Sequence, residues 1–200
     1  MREPFVAYVE REISGDPVMI ACGLPATNKT ETMEVVERLK GFTMLRSDLL
    51  RLEVLAGEDI FDEKVASNMA KRSAVYDVMF SRAHEIAARG QGVILDATFV
   101  SQALRRRAAE VAAANRKTLI IQQTRCSEEF SLAKIAKRSR ETYESNALSP
   151  QAYYNNVKKF EPVDLDDLKR LHPELAIVHL VVDTNSDDEG DWFVVERIER

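Results

Sequence analysis

Apolar residues in this chain fall into continuous runs and helically spaced runs, and the two kinds alternate. Val18-Met19-Ile20-Ala21-Cys22 is continuous and bounded by Asp16-Pro17 and Gly23, the pattern of a buried strand. Phe42 to Leu45, Val93-Ile94-Leu95, Thr118 to Gln122 and Leu175 to Asp183 predict four more strands. Between them the spacing changes to three and four. Met33, Val36 and Leu39 predict a helix over Thr30 to Lys40 that Gly41 stops. Val65, Met69, Tyr76, Met79, Phe80, Ala83, Ile86 and Ala87 predict one long amphipathic helix, or two joined ones, from Asp62 to Arg89. Further helices are expected near Gln102 to Asn115, Ser127 to Arg140 and Pro150 to Phe160. Such alternation predicts an α/β fold, a parallel sheet of about five strands with helices on both faces. The polar stretch Ser139 to Asp167, broken by Pro150 and Pro162, reads as a mobile insertion. Asp183 to Asp191 reads as a solvated acidic loop before a last apolar stretch, Trp192 to Val195.

Composition narrows the class. With 200 residues, 45% hydrophobic and 30% charged, the expectation is a single globular domain over residues 1–200, and disorder, collagen and disulfide scaffolds are excluded. No apolar stretch approaches the roughly 18 residues that span a bilayer. The charged N-terminus lacks the apolar core of a signal peptide, so the expected location is cytoplasmic, with no membrane partner. Cys22 and Cys126 have no metal-like spacing and read as buried thiols. A net charge of −5 argues against general coating of nucleic acid and leaves room for a local basic site.

The chemistry concentrates after the first strand, in Gly23-Leu24-Pro25-Ala26-Thr27-Asn28-Lys29-Thr30. Except at Asn28, it has the pattern GxxxxGK[ST]. That pattern works because backbone amides and a helix N-terminus surround a phosphate, the lysine neutralises its oxygens, and the hydroxyl binds Mg²⁺. Asn28 replaces the glycine before the lysine, and Ala26 is likewise not glycine. Asparagine tolerates left-handed backbone angles, so the loop can keep its shape. Two features oppose a phosphate: Asn28 with Glu31 three residues on also reads as a capping box, and a carboxylate in the first helical turn repels an anion.

Four separated segments together resemble the small P-loop kinases of the AAA-type ATP-binding family, relatives of polynucleotide 5′-hydroxyl kinases, zeta-toxin-like kinases and chloramphenicol phosphotransferase. The loop resembles the family's GxPGSGK[ST], with a degenerate glycine position. Arg46-Ser47-Asp48-Leu49-Leu50-Arg51 resembles its RxDxxR element. Val93 to Phe99 with Arg105 resembles VIxDATF and a downstream arginine. Ser127 to Arg138 resembles its lid helix, followed by Phe160-Glu161-Pro162. The similarity spans about Val18 to Val163 and implies a three-layer P-loop fold with a small helical lid at about residues 127–162.

The resemblance implies a role for each matched residue. Gly23, Leu24, Pro25, Ala26, Thr27, Asn28, Lys29 and Thr30 would hold ATP, with Lys134 and Arg138 closing over the phosphates from the lid. Thr30 and Asp96 would serve Mg²⁺, and Thr98 would support Asp96. Asp48 would accept the acceptor's proton, Arg51 would steady substrate or phosphoryl group, and Lys29 and Arg105 would reach phosphate. Read without the resemblance, Asp48 is a helix cap, Asp96 caps a turn, and Lys134, Lys137, Arg138 and Arg140 form a solvated face. Three functions follow. The leading one is ATP-dependent transfer of the γ-phosphoryl group to a hydroxyl of a small or nucleotide-like acceptor. The second is a non-catalytic P-loop module that works through protein partners, and the third is a nucleic-acid 5′-hydroxyl kinase. The third is disfavoured by net acidity and the lack of an aromatic stacking platform.

Overall fold

The strand β2 (Val18–Cys22) shows how the sheet is made: all five residues are buried, and alternate side chains enter different cores. Val18, Ile20 and Cys22 join one apolar cluster, while Met19 and Ala21 join another. A strand covered on both faces reads as an unbroken apolar run, which is why it was legible. The computed structural model describes residues 1–60, 62–66, 68–137 and 149–200.

In chain order the elements are β1 (Glu3–Pro4), α1 (Phe5–Glu12), β2, α2 (Lys29–Lys40), β3 (Thr43–Arg46), α3 (Ser47–Val54), α4 (Glu63–Ala66), α5 (Met69–Ala88) and β4 (Val93–Asp96). There follow α6 (Gln102–Ala114), β5 (Leu119–Arg125), α7 (Glu128–Ala136), α8 (Pro150–Lys159), α9 (Leu165–Leu171), β6 (Ile177–Asp183) and β7 (Phe193–Glu199). The sheet order is β1-β7-β6-β5-β2-β4-β3, with β2 to β6 mutually parallel. Helices α1 and α2 cover one face through Phe5, Tyr8, Val9, Met33, Val35 and Val36. On the other face, α5, α6 and α9 pack through Val75, Met79, Ala83, Ala108, Ala112 and Leu168. Helices α7 and α8 form a smaller cluster in which Ile135 and Tyr153 meet Ala26 of the phosphate loop.

The parallel core has the expected five strands, and two others extend it. β7 pairs antiparallel with β6, and β1 pairs antiparallel with β7, so the whole sheet is mixed and seven-stranded. The sequence hid these for a physical reason. β7 has mostly half-buried or exposed side chains, and β1 is two residues long with a partner some 190 positions away. Helix α1 was also missed, although Phe5, Tyr8 and Val9 keep helical spacing. The long helical pattern resolves into the two joined helices α4 and α5. No helix among the described residues is long and apolar enough to cross a membrane.

This topology fixes the site. The chain leaves β2 for β3 on one side, then returns through β4 and crosses to β5 on the other. The crevice at the carboxyl ends of β2 and β4 is therefore the switch point where α/β sheets bind ligands.

Candidate active site

The loop between β2 and α2 is held in a phosphate-loop shape by its backbone and by Thr27. Gly23 has φ +137°, and a Cβ there would lie 2.8 Å from the Thr124 carbonyl, so only glycine fits. Ala26 and Asn28 adopt left-handed angles, with φ 60° and 56°. Thr27 Oγ1 donates to the Leu24 carbonyl at 2.8 Å and lies 2.7 Å from Thr124 Oγ1, bracing the loop against β5. The N–H groups of Ala26, Thr27, Asn28 and Thr30 find no acceptor among the described residues. Lys29, largely buried, curls back so that Nζ donates to the Leu24 carbonyl. Several orphan amides and an ammonium around one concavity form a cradle that an anion completes.

Asn28 does not serve as a cap. Its left-handed backbone is not that of an N-cap residue, and its side chain makes no bond to the first turn of α2. The capping-box alternative therefore fails. Nδ2 instead donates to the carbonyls of Thr184 (3.1 Å) and Ser186 (2.8 Å), and Oδ1 accepts from Lys134 Nζ.

At the other end of the loop, Thr30 Oγ1 donates to Asp96 Oδ2 at 2.7 Å. Asp96 ends β4, buried, beside the Arg46 guanidinium at 3.9 Å. Burial raises its pKa, the Asp48 charge adds to the rise, and the Thr30 bond, Lys29 and Arg46 oppose it. A hydroxyl and a carboxylate so placed suit Mg²⁺, which takes one or two protein oxygens and fills its remaining positions with phosphate oxygens and water. Among the described residues, no cluster of three or more His, Cys, Asp or Glu could hold a metal by itself.

Asp48 and Arg51 stand one turn apart on α3. The N-cap position of that helix is Arg46, so Asp48 lies inside the first turn and the cap alternative does not apply. Both are half-buried and have interaction partners. Across from them, α5 presents Tyr76. Burial raises its pKa, Arg72, Thr98 and Arg51 oppose the rise, and Asp48 adds to it. Arg46 as a neighbour of Asp96 was not singled out from the sequence, although it lay inside a quoted motif.

From α7, Lys134 reaches the loop but not by an open phosphate-facing path. Nζ contacts Glu31 Oε1 at 2.7 Å, Asp187 Oδ1 at 3.1 Å, and Asn28. Burial, the largest single influence, would raise the Glu31 pKa, yet the Lys134 bond, a backbone bond and the charges of Lys134 and Lys29 together outweigh it and hold the carboxyl below its ordinary value. For Lys134, burial lowers the pKa, but Glu31 and Asp187 raise it overall. The acidic stretch after β6 is thus not merely solvated. Thr184 Oγ1 donates to the Thr27 carbonyl at 3.0 Å, and Asn185 Oδ1 accepts from the Ser127 amide at 3.0 Å. Arg138 lies outside the described residues.

Arg105 is corrected. It is fully buried, and its guanidinium donates to the carbonyls of Glu161 (2.7 Å), Pro162 (2.9 Å) and Val100 (3.4 Å) and to Gln102 Oε1 (3.2 Å). Its work is to brace the Phe160-Glu161-Pro162 segment against the start of α6, with no reach toward phosphate. The adjacent arginines are also paired, Arg106 with Asp167 and Arg107 with Asp77. Tyr153 packs on the loop at Ala26, and Tyr154 donates to Glu128 at 2.7 Å. Both cysteines are free thiols, Cys22 buried and Cys126 half-buried.

No curated protein sequence matches the chain. Among solved structures, a sugar kinase from Janibacter sp. is similar with a TM-score of 0.60 at 12% identity, over 84% of this chain and 86% of that one. A gluconokinase from Sinorhizobium meliloti superposes with a TM-score of 0.57 at 13% identity, over 87% and 86%. Kti12 from Chaetomium thermophilum, solved in complex with ADP-AlF3, gives 0.53 at 18% identity, over 74% and 82%. At these identities the likeness establishes the fold, that of the P-loop kinases. Residues 18–162, from the first residue of β2 through the segment that Arg105 braces, match the family model of the AAA domain, and the chain belongs to that family.

Proposed function

We propose that the protein is an ATP-dependent phosphotransferase that moves the γ-phosphoryl group to a hydroxyl of a small-molecule or nucleotide-like acceptor. The observation that carries this reading is the meeting of three groups at one crevice: the cradle of orphan amides with Lys29, the Thr30–Asp96 pair, and the carboxylate of Asp48 in the field of Asp96. A site for binding alone has no use for the third. The nucleotide-handling folds among its structural neighbours, one of them bound to ADP-AlF3, agree with it.

Mg²⁺, when bound, would draw the phosphate oxygens together and neutralise their charge. The loop amides and Lys29 would hold the β- and γ-phosphates, and Thr30 with Asp96 would anchor the metal. Asp48 would align the acceptor hydroxyl and take its proton as the new P–O bond forms and the bond to the β–γ bridging oxygen breaks. Arg51 would steady the in-flight group. Positioning and charge neutralisation carry the catalysis, so no covalent enzyme intermediate is needed. The lid α7–α8 would exclude water, and the reaction belongs to a cytoplasmic enzyme.

The network at Asn28, Glu31 and Lys134 favours a second reading, a non-catalytic module whose loop has been tied down. Phosphoryl transfer from radiolabelled ATP to a panel of hydroxyl compounds, wild type beside Asp48→Asn, separates the two. The proposal expects transfer by wild type and a loss of about 10²–10⁴-fold in Asp48→Asn with nucleotide binding unchanged. Transfer that survives in Asp48→Asn would place the base elsewhere, and a wild type that binds nucleotide without any transfer would favour the second reading.

A further inference from the structure

We propose that Arg105 is a positioning residue for the phosphate loop: through the turn after β4 on one side and helix α8 on the other, it holds Gly23 and Ala26 in place. This goes beyond its local brace and rests on the reading of that loop as a phosphate site.

A backbone outlier points to this role. Phe99, just beyond Asp96, takes φ 43°, a left-handed angle that bulky side chains rarely adopt. Such a conformation persists only where its surroundings over-determine it, and it collects where geometry serves function. The Phe99 ring is fully buried and stands edge-on to Tyr76 and Phe80, with ring centres 6.1 and 6.2 Å apart. Its backbone faces the phosphate loop. The Gly23 amide donates to the Thr98 carbonyl at 3.3 Å, a group whose direction the Phe99 φ helps to set, and Cys22 Sγ lies 3.8 Å from the Phe99 carbonyl. The first residue of the loop is thus tied to a strained turn.

Arg105 holds that turn from its far side. Nη2 donates to the Val100 and Glu161 carbonyls, and Nη1 to the Pro162 carbonyl and Gln102 Oε1. The Glu161 amide donates to the Val100 carbonyl at 2.8 Å, so the turn and the segment leaving α8 form one unit. Phe160, which follows α8, places its ring 5.2 Å from the guanidinium. Within α8, Tyr153 packs against Ala26 of the loop. Two routes therefore lead from Arg105 to the loop: Val100 and Thr98 to Gly23, and Glu161 and Tyr153 to Ala26. Burying a guanidinium this completely is costly, and an apolar side chain would fill the same space without desolvating a charge. What arginine adds is a planar fork of donors that serves four acceptors on three chain segments, where lysine has only three donors and no fork.

The test follows amide exchange by NMR in nucleotide-free protein, beside ADP affinity by calorimetry with and without Mg²⁺. Wild type, Arg105→Lys and Arg105→Met are compared at a temperature where each is folded. The Gly23 amide should exchange about tenfold faster in Arg105→Lys and faster still in Arg105→Met, with the amides of β5 and β6 unchanged. ADP affinity should fall in the same order, with or without the metal. Loosening confined to Phe160 and Glu161, equal loosening of β5 and β6, or faster Gly23 exchange with unchanged ADP affinity each overturns the positioning role. Should Arg105→Met not fold, Arg105→Lys decides by itself. A wild type that does not bind ADP refutes the phosphate-site reading, and Gly23 exchange then still decides whether Arg105 positions the loop.

Discussion

At the Thr30 end of the phosphate loop, the side chains that meet are those the loop's motif leads one to expect: a hydroxyl on a buried carboxylate at 2.7 Å, with Lys29 and Arg46 in the field. At the Asn28 end, three unusual residues meet one another instead. Asn28 stands where glycine is usual, Glu31 puts a negative charge in the first helical turn, and Lys134 comes in from α7 to join them with Asp187. Taken singly, Asn28 and Glu31 each count against phosphate binding. Taken together with Lys134, they are a connected network that faces the loop after β6 and leaves the amides of Ala26, Thr27, Asn28 and Thr30 without an acceptor among the described residues. The lesson is that departures from a motif have to be read as a set, because one can supply the partner of another.

Variants at the two ends should therefore fail differently, and the largest effect belongs to the conventional end. Asp96→Asn keeps the shape but removes the charge that would hold Mg²⁺. Nucleotide affinity in Asp96→Asn should become nearly independent of Mg²⁺, with transfer reduced by about two orders of magnitude or more. Undiminished Mg²⁺ dependence, read by calorimetric titration with and without the metal, would remove Asp96 from the metal site.

At the other end, Lys134→Met strips the Glu31 carboxylate of its partner beside the phosphate path. It should weaken nucleotide binding, and adding Glu31→Gln should restore much of the loss. A coupling of about 0.5–3 kcal/mol in the double-mutant cycle is expected for residues in direct contact. Additive effects would mean that Lys134 acts on phosphate independently of Glu31.

Asn28→Gly sharpens the comparison further, since it restores the usual glycine and removes any left-handed strain. It also deprives the Thr184 and Ser186 carbonyls of a donor, so the variant should lose about 1–2 kcal/mol of stability in denaturant melts while keeping nucleotide affinity within a few-fold. A large gain in affinity would show instead that the asparagine blocks the site.

A smaller and more remote effect should separate fold from site. His179 on β6 is buried against Gln123 Oε1 at 3.0 Å, and burial lowers its pKa to about 4. Below pH 6.5 the unfolded chain takes up a proton that the folded chain refuses, so stability falls as pH drops from 6.5 toward 4, by up to roughly 3 kcal/mol from this group. His179→Gln should flatten that part of the pH–stability curve without altering nucleotide binding. An unchanged curve would assign the slope to other groups.

What was legible in the sequence follows the same division. The five parallel strands could be read because burial on both faces leaves runs such as Val18 to Cys22 and Val93 to Leu95 unbroken. The loop, Thr30 and Asp96 could be read because local spacing sets them. Arg105 misled because a matched arginine does not fix the direction of its side chain, which here turns to the Glu161 and Pro162 carbonyls. Asp187 was invisible because its place beside Lys134 is set by a helix far away in sequence. β1 escaped for the same reason, since its partner strand closes the chain.

The most direct test of the central claim is thermal stability with and without millimolar ATP and Mg²⁺, wild type beside Lys29→Ala. A ligand at about 100 times its dissociation constant should add roughly 2.7 kcal/mol to wild type, and the variant should lose that gain while melting normally without ligand. An equal shift in both proteins, or none in wild type up to high ATP, would contradict a working phosphate loop.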